Sequence, residues 1–271
     1  MKKLLLFIAF ALCANASDSL PIHILPHNCM VGQKAAKEHA GGHNHGSMKT
    51  AMYQLVGYNG SQNAKVTYIL STLEKKDIKL KANMINLPKS RYGNYHAISA
   101  EVTDKDKIYG ATYYIYKHGM PSKTSPTKLT GVDKLTFEIK PNPLPREHDR
   151  YKSSKEYSFL VMFKNKPIST DVILTTHNGS KLKLKSDKDG VLEFVMPNDF
   201  EDVKNSRGAN SASYFTLSSK NLDDAKEYFT TLSMPYYVNP VNYWQSIPYG
   251  VVIAILGFLF GLFLYKRSKN G

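Results

Sequence analysis

Five of the nine histidines fall between residues 23 and 45: His23, His27, His39, His43 and His45. An even spread would put about 0.8 in a window of that length, so the clustering belongs to this segment and not to the composition. Cys29 and Met30 lie inside the window, and Met48 and Met52 follow it. Imidazole suits nickel, copper, zinc and iron, whereas thiolate and thioether sulfur favour softer ions such as Cu(I). His43 and His45 are one residue apart, and Gly41, Gly42 and Gly46 give the backbone freedom for both rings to turn to one ion. Closing such a segment on an ion costs ordering entropy, which suits capture and release better than storage. The expected ligands are His39, His43 and His45 first, then His23 and His27, then Cys29. As a small apolar side chain, Cys29 fits a core equally well. The plain alternative is a polar loop whose histidines bind nothing. His96, His118, His148 and His177 stand singly in strands or turns and read as surface or core residues.

Other constellations are weaker. Asp187 and Asp189 lack the twelve-residue ligand series of a calcium loop and read as a turn. Asn178-Gly179-Ser180 is a glycosylation sequon by letter and coincides with a turn signal. Glu147, His148 and Asp149 sit in a proline-rich connector, where a solvated charge run is the default. No Gly-x-Ser-x-Gly, His-Glu-x-x-His or phosphate-loop motif occurs. The expectation is a binding protein, not an enzyme.

The elements that would position these residues are framed by two apolar ends. Lys2 and Lys3 precede an apolar run from Leu4 to Ala14 and an Ala14-Asn15-Ala16 exit, the pattern of a signal peptide over residues 1–16. Ile247 to Tyr265 holds 19 residues without a charge. As a helix it would measure about 28 Å, enough for a hydrocarbon core of about 30 Å. Tyr243, Trp244 and Tyr249 flank its start, and Lys266, Arg267 and Lys269 flank its end, as an aromatic belt and a positive inner side require. Gly257 and Gly261 form a weak helix-packing signal.

The expected topology is a single-pass protein of the inner (cytoplasmic) membrane, with its folded part in the periplasm and residues 266–271 in the cytoplasm. The formal charge is +14, and +9 remains once Lys2, Lys3 and the three tail cations are set aside. That charge favours an anionic membrane surface, so membrane lipid is an expected partner and nucleic acid is not. Only Cys29 survives signal removal, which rules out an internal disulfide in the mature chain.

Residues 17–51, with Pro21, Pro26 and the glycine-histidine tract, read as a flexible arm carrying one helical turn around Gln33 to Glu38. Period-two alternation then predicts half-buried strands over Ala64–Leu70, Asn94–Val102, Ala111–Tyr116 and Lys134–Ile139. Pro141, Pro143 and Pro145 predict a linker that interrupts the ladder. Further strands are expected at 157–163, 171–176, 181–185, 191–195, 214–218 and 228–234. Asn178-Gly179 and Asp189-Gly190 are signals for tight hairpin turns. The fold class expected is all-β, with two β-sandwich lobes of immunoglobulin-like or prealbumin-like kind over residues 52–145 and 146–238. Residues 239–246 form a juxtamembrane linker before the transmembrane helix at 247–265.

Four segments occur in order: Leu135 to Pro143, Tyr157 to Ile168, Asp187 to Phe194, and Tyr228 to Met234. Their order resembles the NikK-like periplasmic β-proteins (DUF4198) that accompany nickel and cobalt uptake systems. The resemblance covers roughly residues 135–234. Asn165 stands where the family has a glycine before Lys-Pro, and Ser186 where it has a threonine. The family also tends to carry a histidine soon after signal cleavage, the place that His23 occupies. The resemblance implies a membrane-anchored accessory that collects Ni(II) or Co(II) and passes it to integral membrane transporter subunits. Copper is the alternative cargo on account of Cys29, Met30, Met48 and Met52, and a metal-independent interaction or scaffold module is the alternative class.

Overall fold

The computed structural model describes residues 21–27, 52–60, 63–146, 150–244 and 247–269. The expected signal peptide, the helical turn near Gln33, and His39, His43, His45 and Cys29 lie outside them.

Strands rich in β-branched and aromatic residues assemble into three sheets. The largest has nine strands. Its main path is β13 (Lys181–Lys185), β12 (Asp171–Thr176), β15 (Ser213–Asp223), β16 (Lys226–Tyr237), β7 (Lys107–Lys117), β6 (Asn94–Asp104), β3 (Asn63–Ile69) and β4 (Lys75–Ile78), with β9 (Tyr151–Lys152) also beside β16. A three-stranded sheet has the order β1 (His23–Pro26), β2 (Met52–Val56), β5 (Met84–Asn86). A four-stranded sheet is built on β10 (Glu156–Phe163), which pairs with β8 (Phe137–Pro141), β11 (Lys166–Pro167) and β14 (Val191–Val195). The short helix α1 (Pro126–Gly131) is capped by Ser125, whose hydroxyl accepts from the Lys128 amide.

The two smaller sheets cover opposite faces of the large one. Ile24, Tyr53, Leu55 and Ile85 pack with Val66, Tyr68, Ile98, Ala100 and Tyr113 in one core. Ile139, Phe159, Val161 and Leu192 pack with Tyr95, Ala97, Tyr114, Phe215, Leu217 and Leu232 in the other. The result is two sandwich packings that share one sheet. Alternation predicts half-buried strands, yet β6 and β7 are buried on both faces because each contributes to both cores. The positions on the second face are filled by Tyr95, Ala97, Ser99, Thr112 and Tyr114, which alternation alone reads as half-polar.

The join between the expected lobes is continuous. β7 pairs in parallel with β16 from Lys107↔Glu227 to Tyr113↔Ser233. The proline segment does not break a ladder at its start: Pro141 lies opposite Phe159, and the Asn142 amide donates to the Ser158 carbonyl. Leu144 is buried in the second core. Asn178-Gly179 does close a hairpin, between the paired strands β12 and β13, with Gly179 at φ 103°. Asp189-Gly190 does not, because β13 and β14 belong to different sheets. There the Asp187 carboxylate accepts from the Asp189 and Val191 amides and turns the chain from one sheet to the next.

The helix α2 (Ile247–Lys269) contains a 22-residue span, Pro248–Lys269, long and apolar enough to cross a membrane. Its apolar side chains from Val251 to Tyr265 are exposed all round, unlike those of a core helix.

Candidate functional site

Of the expected ligands, the structure places His23 and His27. Residues 17–51 read as an arm, but His23–Pro26 is a strand, with Ile24 fully buried. It pairs antiparallel with β2, from His23↔Val56 to Pro26↔Tyr53. The Thr231 hydroxyl on β16 donates to the Ile22 carbonyl at 2.8 Å inside the protein, fastening β1 to the large sheet. The histidine-rich segment is therefore an insertion between two paired strands, and both its ends are held at adjacent positions.

The His23 Nδ1–H donates to the Pro21 carbonyl at 3.1 Å, so Nε2 carries the lone pair of the neutral ring. Burial holds the His23 pKa below the ordinary histidine range. The Pro21 hydrogen bond works against that shift and the nearby His177 adds to it. Both effects of burial and His177 keep the ring neutral, the state that ligates a metal. His177 follows β12, where its amide donates to the Tyr214 carbonyl. Sequence reasoning missed this neighbour, since 154 residues separate the two and no spacing rule links them. At the end of β1, the His27 Nδ1 is buried and has no hydrogen-bond partner among the described residues. Met52, which opens β2, is exposed. Among the described residues no three His, Cys, Asp or Glu side chains gather as a metal site.

The buried His96 has a different character. Its Nε2 donates to the Tyr92 carbonyl at 3.2 Å, which leaves Nδ1 to accept from the Tyr68 hydroxyl at 2.8 Å and the Ser71 amide at 3.3 Å. Burial, with a smaller contribution from Lys117, pushes its pKa down to about 4 against the Tyr92 hydrogen bond. Every ring nitrogen is in use, so His96 is a core residue, as its isolated position in a strand suggests.

A buried charge cluster is likewise satisfied internally. The Lys134 ammonium donates to the Val132 carbonyl and to Glu138 at 2.6 and 2.9 Å, and Lys140 reaches Asp133 at 2.9 Å. Burial lowers the Lys134 pKa while Glu138 opposes the shift. A cavity of about 190 Å³ beside Lys134 is lined by Lys65, Thr67, Lys75, Asp77 and Glu101, a mixture of charges without a dominant sign.

No family model matches the chain, and no curated protein matches it. Among solved structures, the chain is similar to one from a study of host cell surface retention of a 1.5-MDa bacterial ice-binding adhesin. The identity is 14% and the TM-score 0.25, over 70% of this chain and 57% of that one. It is also similar to a tetra-tandem repeat in the extending region of a large adhesion protein, at 10% identity and a TM-score of 0.25, over 70% of this chain and 46% of that one. The chain spans about half the length of the solved structures it matches.

Proposed function

We propose that this protein is a membrane-anchored, extracytoplasmic metal-binding accessory of a nickel or cobalt uptake system, and that it delivers its ion to integral membrane transporter subunits. In this reading α2 crosses the inner membrane with Lys266, Arg267 and Lys269 on the cytoplasmic side. The observation that carries the proposal is the pairing of β1 with β2, which clamps both ends of the segment containing His27, Cys29, His39, His43 and His45. Clamping raises the effective concentration of one ligand near the next and lowers the entropy lost when an ion is gathered. His23 adds a neutral imidazole at the base of the clamp, with His177 beside it.

The two departures from the NikK-like pattern, at Asn165 and Ser186, sit where the family's residue would also fit. Asn165, in place of the family's glycine, sits at φ 62° in a two-residue turn after Lys164 at φ 49°, a conformation that Asn tolerates nearly as Gly does. The buried Ser186 hydroxyl donates to the Ile168 carbonyl and accepts from the Thr170 amide, a role open to threonine.

Calorimetry on the full-length protein in detergent tests the proposal. Wild type should bind Ni(II), and the variant His39→Ala, His43→Ala, His45→Ala should lose most of that affinity with an unchanged far-UV spectrum. Equal affinity in the two proteins would refute it. Competition among Ni(II), Co(II), Cu(I), Cu(II) and Zn(II) identifies the cargo. Cu(I) binding that disappears in Cys29→Ser, with nickel binding spared, would assign copper instead.

A further inference from the structure

Where β6 begins and β7 ends, the large sheet carries cations without acids. Residues 87–100 and 108–132 contain no Asp or Glu, and they hold Lys89, Arg91, Lys117, Lys123 and Lys128. The two segments interlock. The Gly93 amide donates to the Met120 carbonyl at 2.8 Å, and the Met120 amide to the Arg91 carbonyl at 2.9 Å. Asn94 stands opposite Lys117, and its Nδ2 donates to the Thr124 carbonyl at 3.1 Å. Arg91, Lys117 and Lys123 are thereby held on one edge, although 32 residues separate the first from the last. Glu101 and Asp104 lie at the other end of β6. Glu74, in the turn between β3 and β4, is held by Lys76 at 3.3 Å, and the Asp133 carboxylate by Lys140.

Among the described residues, none of Lys89, Arg91, Lys117 and Lys123 has a carboxylate partner. Lys117 is half-buried, with its ammonium 5.1 Å from the centre of the Tyr68 ring. Burial holds its pKa below the ordinary lysine value. A partly desolvated cation without a counter-charge costs free energy that an incoming anion recovers. Arg91 is braced by its neighbour: Nη2 donates to the Tyr92 hydroxyl at 2.8 Å, and the guanidinium lies 4.9 Å from that ring's centre. Its remaining N–H groups keep the planar fork that grips both oxygens of a carboxylate. Met120, 59% exposed, lies beside them. Arginine, tyrosine and methionine are the side chains that protein interfaces favour.

We infer that this edge, with Arg91 and Lys117 at its centre and Lys89 and Lys123 around them, is a docking surface for an acidic segment of a partner polypeptide. Arg91 takes one carboxylate in a two-point grip, and Lys117 neutralises another. A polypeptide is favoured over phosphate because Tyr92 and Met120 offer apolar contact beside the charges, which a phosphate group does not use. The inference stands apart from the metal reading and requires no bound ion.

The test uses full-length protein in a neutral detergent, stripped of metal by a chelator, and a fluorophore-labelled oligoglutamate peptide read by polarisation. Wild type should bind the peptide, with an affinity that falls as salt is raised. Arg91→Gln with Lys117→Gln should weaken binding about ten-fold or more. Lys183→Gln with Lys185→Gln removes the same charge from β13, four strands from β7, and should change it less than about two-fold. Arg91→Lys keeps the charge and loses the fork, so it should bind more weakly than wild type. That change touches only an exposed side chain, so it reads the grip even if the double variant at 91 and 117 loses its far-UV spectrum. Equal weakening in the two double variants would reduce the surface to overall charge and overturn the inference. Wild type that ignores the peptide would overturn it as well. So would displacement of the peptide by inorganic phosphate or glycerol phosphate at the concentration where unlabelled peptide displaces it, which would assign the edge to phosphate or to lipid headgroups. Nickel binding, present or lost, bears on none of these outcomes.

Discussion

At the scale of single residues, identical letters take opposite roles because burial and partners differ. His96 is held neutral by burial, with its pKa down to about 4. Its unfolded counterpart titrates near 6.5. The folded state therefore resists a proton that the unfolded chain accepts. The stability this group contributes is complete above about pH 6.5 and falls as the pH drops toward 4, by about 2 to 3 kcal/mol. Urea unfolding of the wild type should show its midpoint declining between pH 6.5 and 5, before most carboxylates titrate. In His96→Gln that decline should shrink to the share left by His23, whose pKa is also held low. The pairing of His96 with Tyr68, and of His23 with His177, joins residues far apart in the chain. Only the count and spacing of the 23–45 cluster could be read from the sequence, and three of its histidines lie outside the described structure.

Turns decide which sheet each strand joins, and glycine decides some of the turns. Gly190 has φ 74°, and a Cβ there would lie 2.6 Å from the Val161 carbonyl oxygen and 2.9 Å from the Pro167 side chain. Its own carbonyl accepts from the Val161 amide at 2.8 Å, so the close approach cannot relax without losing that bond. Gly190→Ala should cost about 1 to 3 kcal/mol in urea unfolding. Gly179→Ala, where a Cβ meets nothing within 4 Å, should cost only the positive-φ penalty, about 1 kcal/mol. The letters Asp-Gly mark the turn at 189–190 correctly. They do not reveal that it passes between sheets, because that depends on β14 finding β10 and not β13. β1 was hidden for a related reason: four residues ending in proline show no alternation, and the partner that makes them a strand begins at residue 52.

For the whole molecule, the shared nine-stranded sheet predicts a single cooperative unit. β7 and β16 pair across the middle of the sheet, and β8, which precedes residue 145, builds the second core with β10. Amides in β3 and β6 should exchange with the same global opening free energy as those in β15 and β16, measured by native-state hydrogen exchange. Residues 52–145 expressed alone should remain unfolded, since the parallel neighbour β16, the β1 strand and the β10 and β14 part of the cover for Tyr95, Ala97 and Tyr114 are missing. Two separate opening energies would contradict this. What is local was legible in the letters: strands in their alternation, α2 in its uncharged length, and the histidine cluster in its density. That two sandwiches share a sheet, and that the histidine segment is clamped at both ends, came from pairing between distant strands. Both depend on pairing and burial between residues from 27 positions apart at Pro26↔Tyr53 to 209 at Ile22 and Thr231, whose free energy arises only when distant strands meet and exclude water, leaving no periodic trace in either strand.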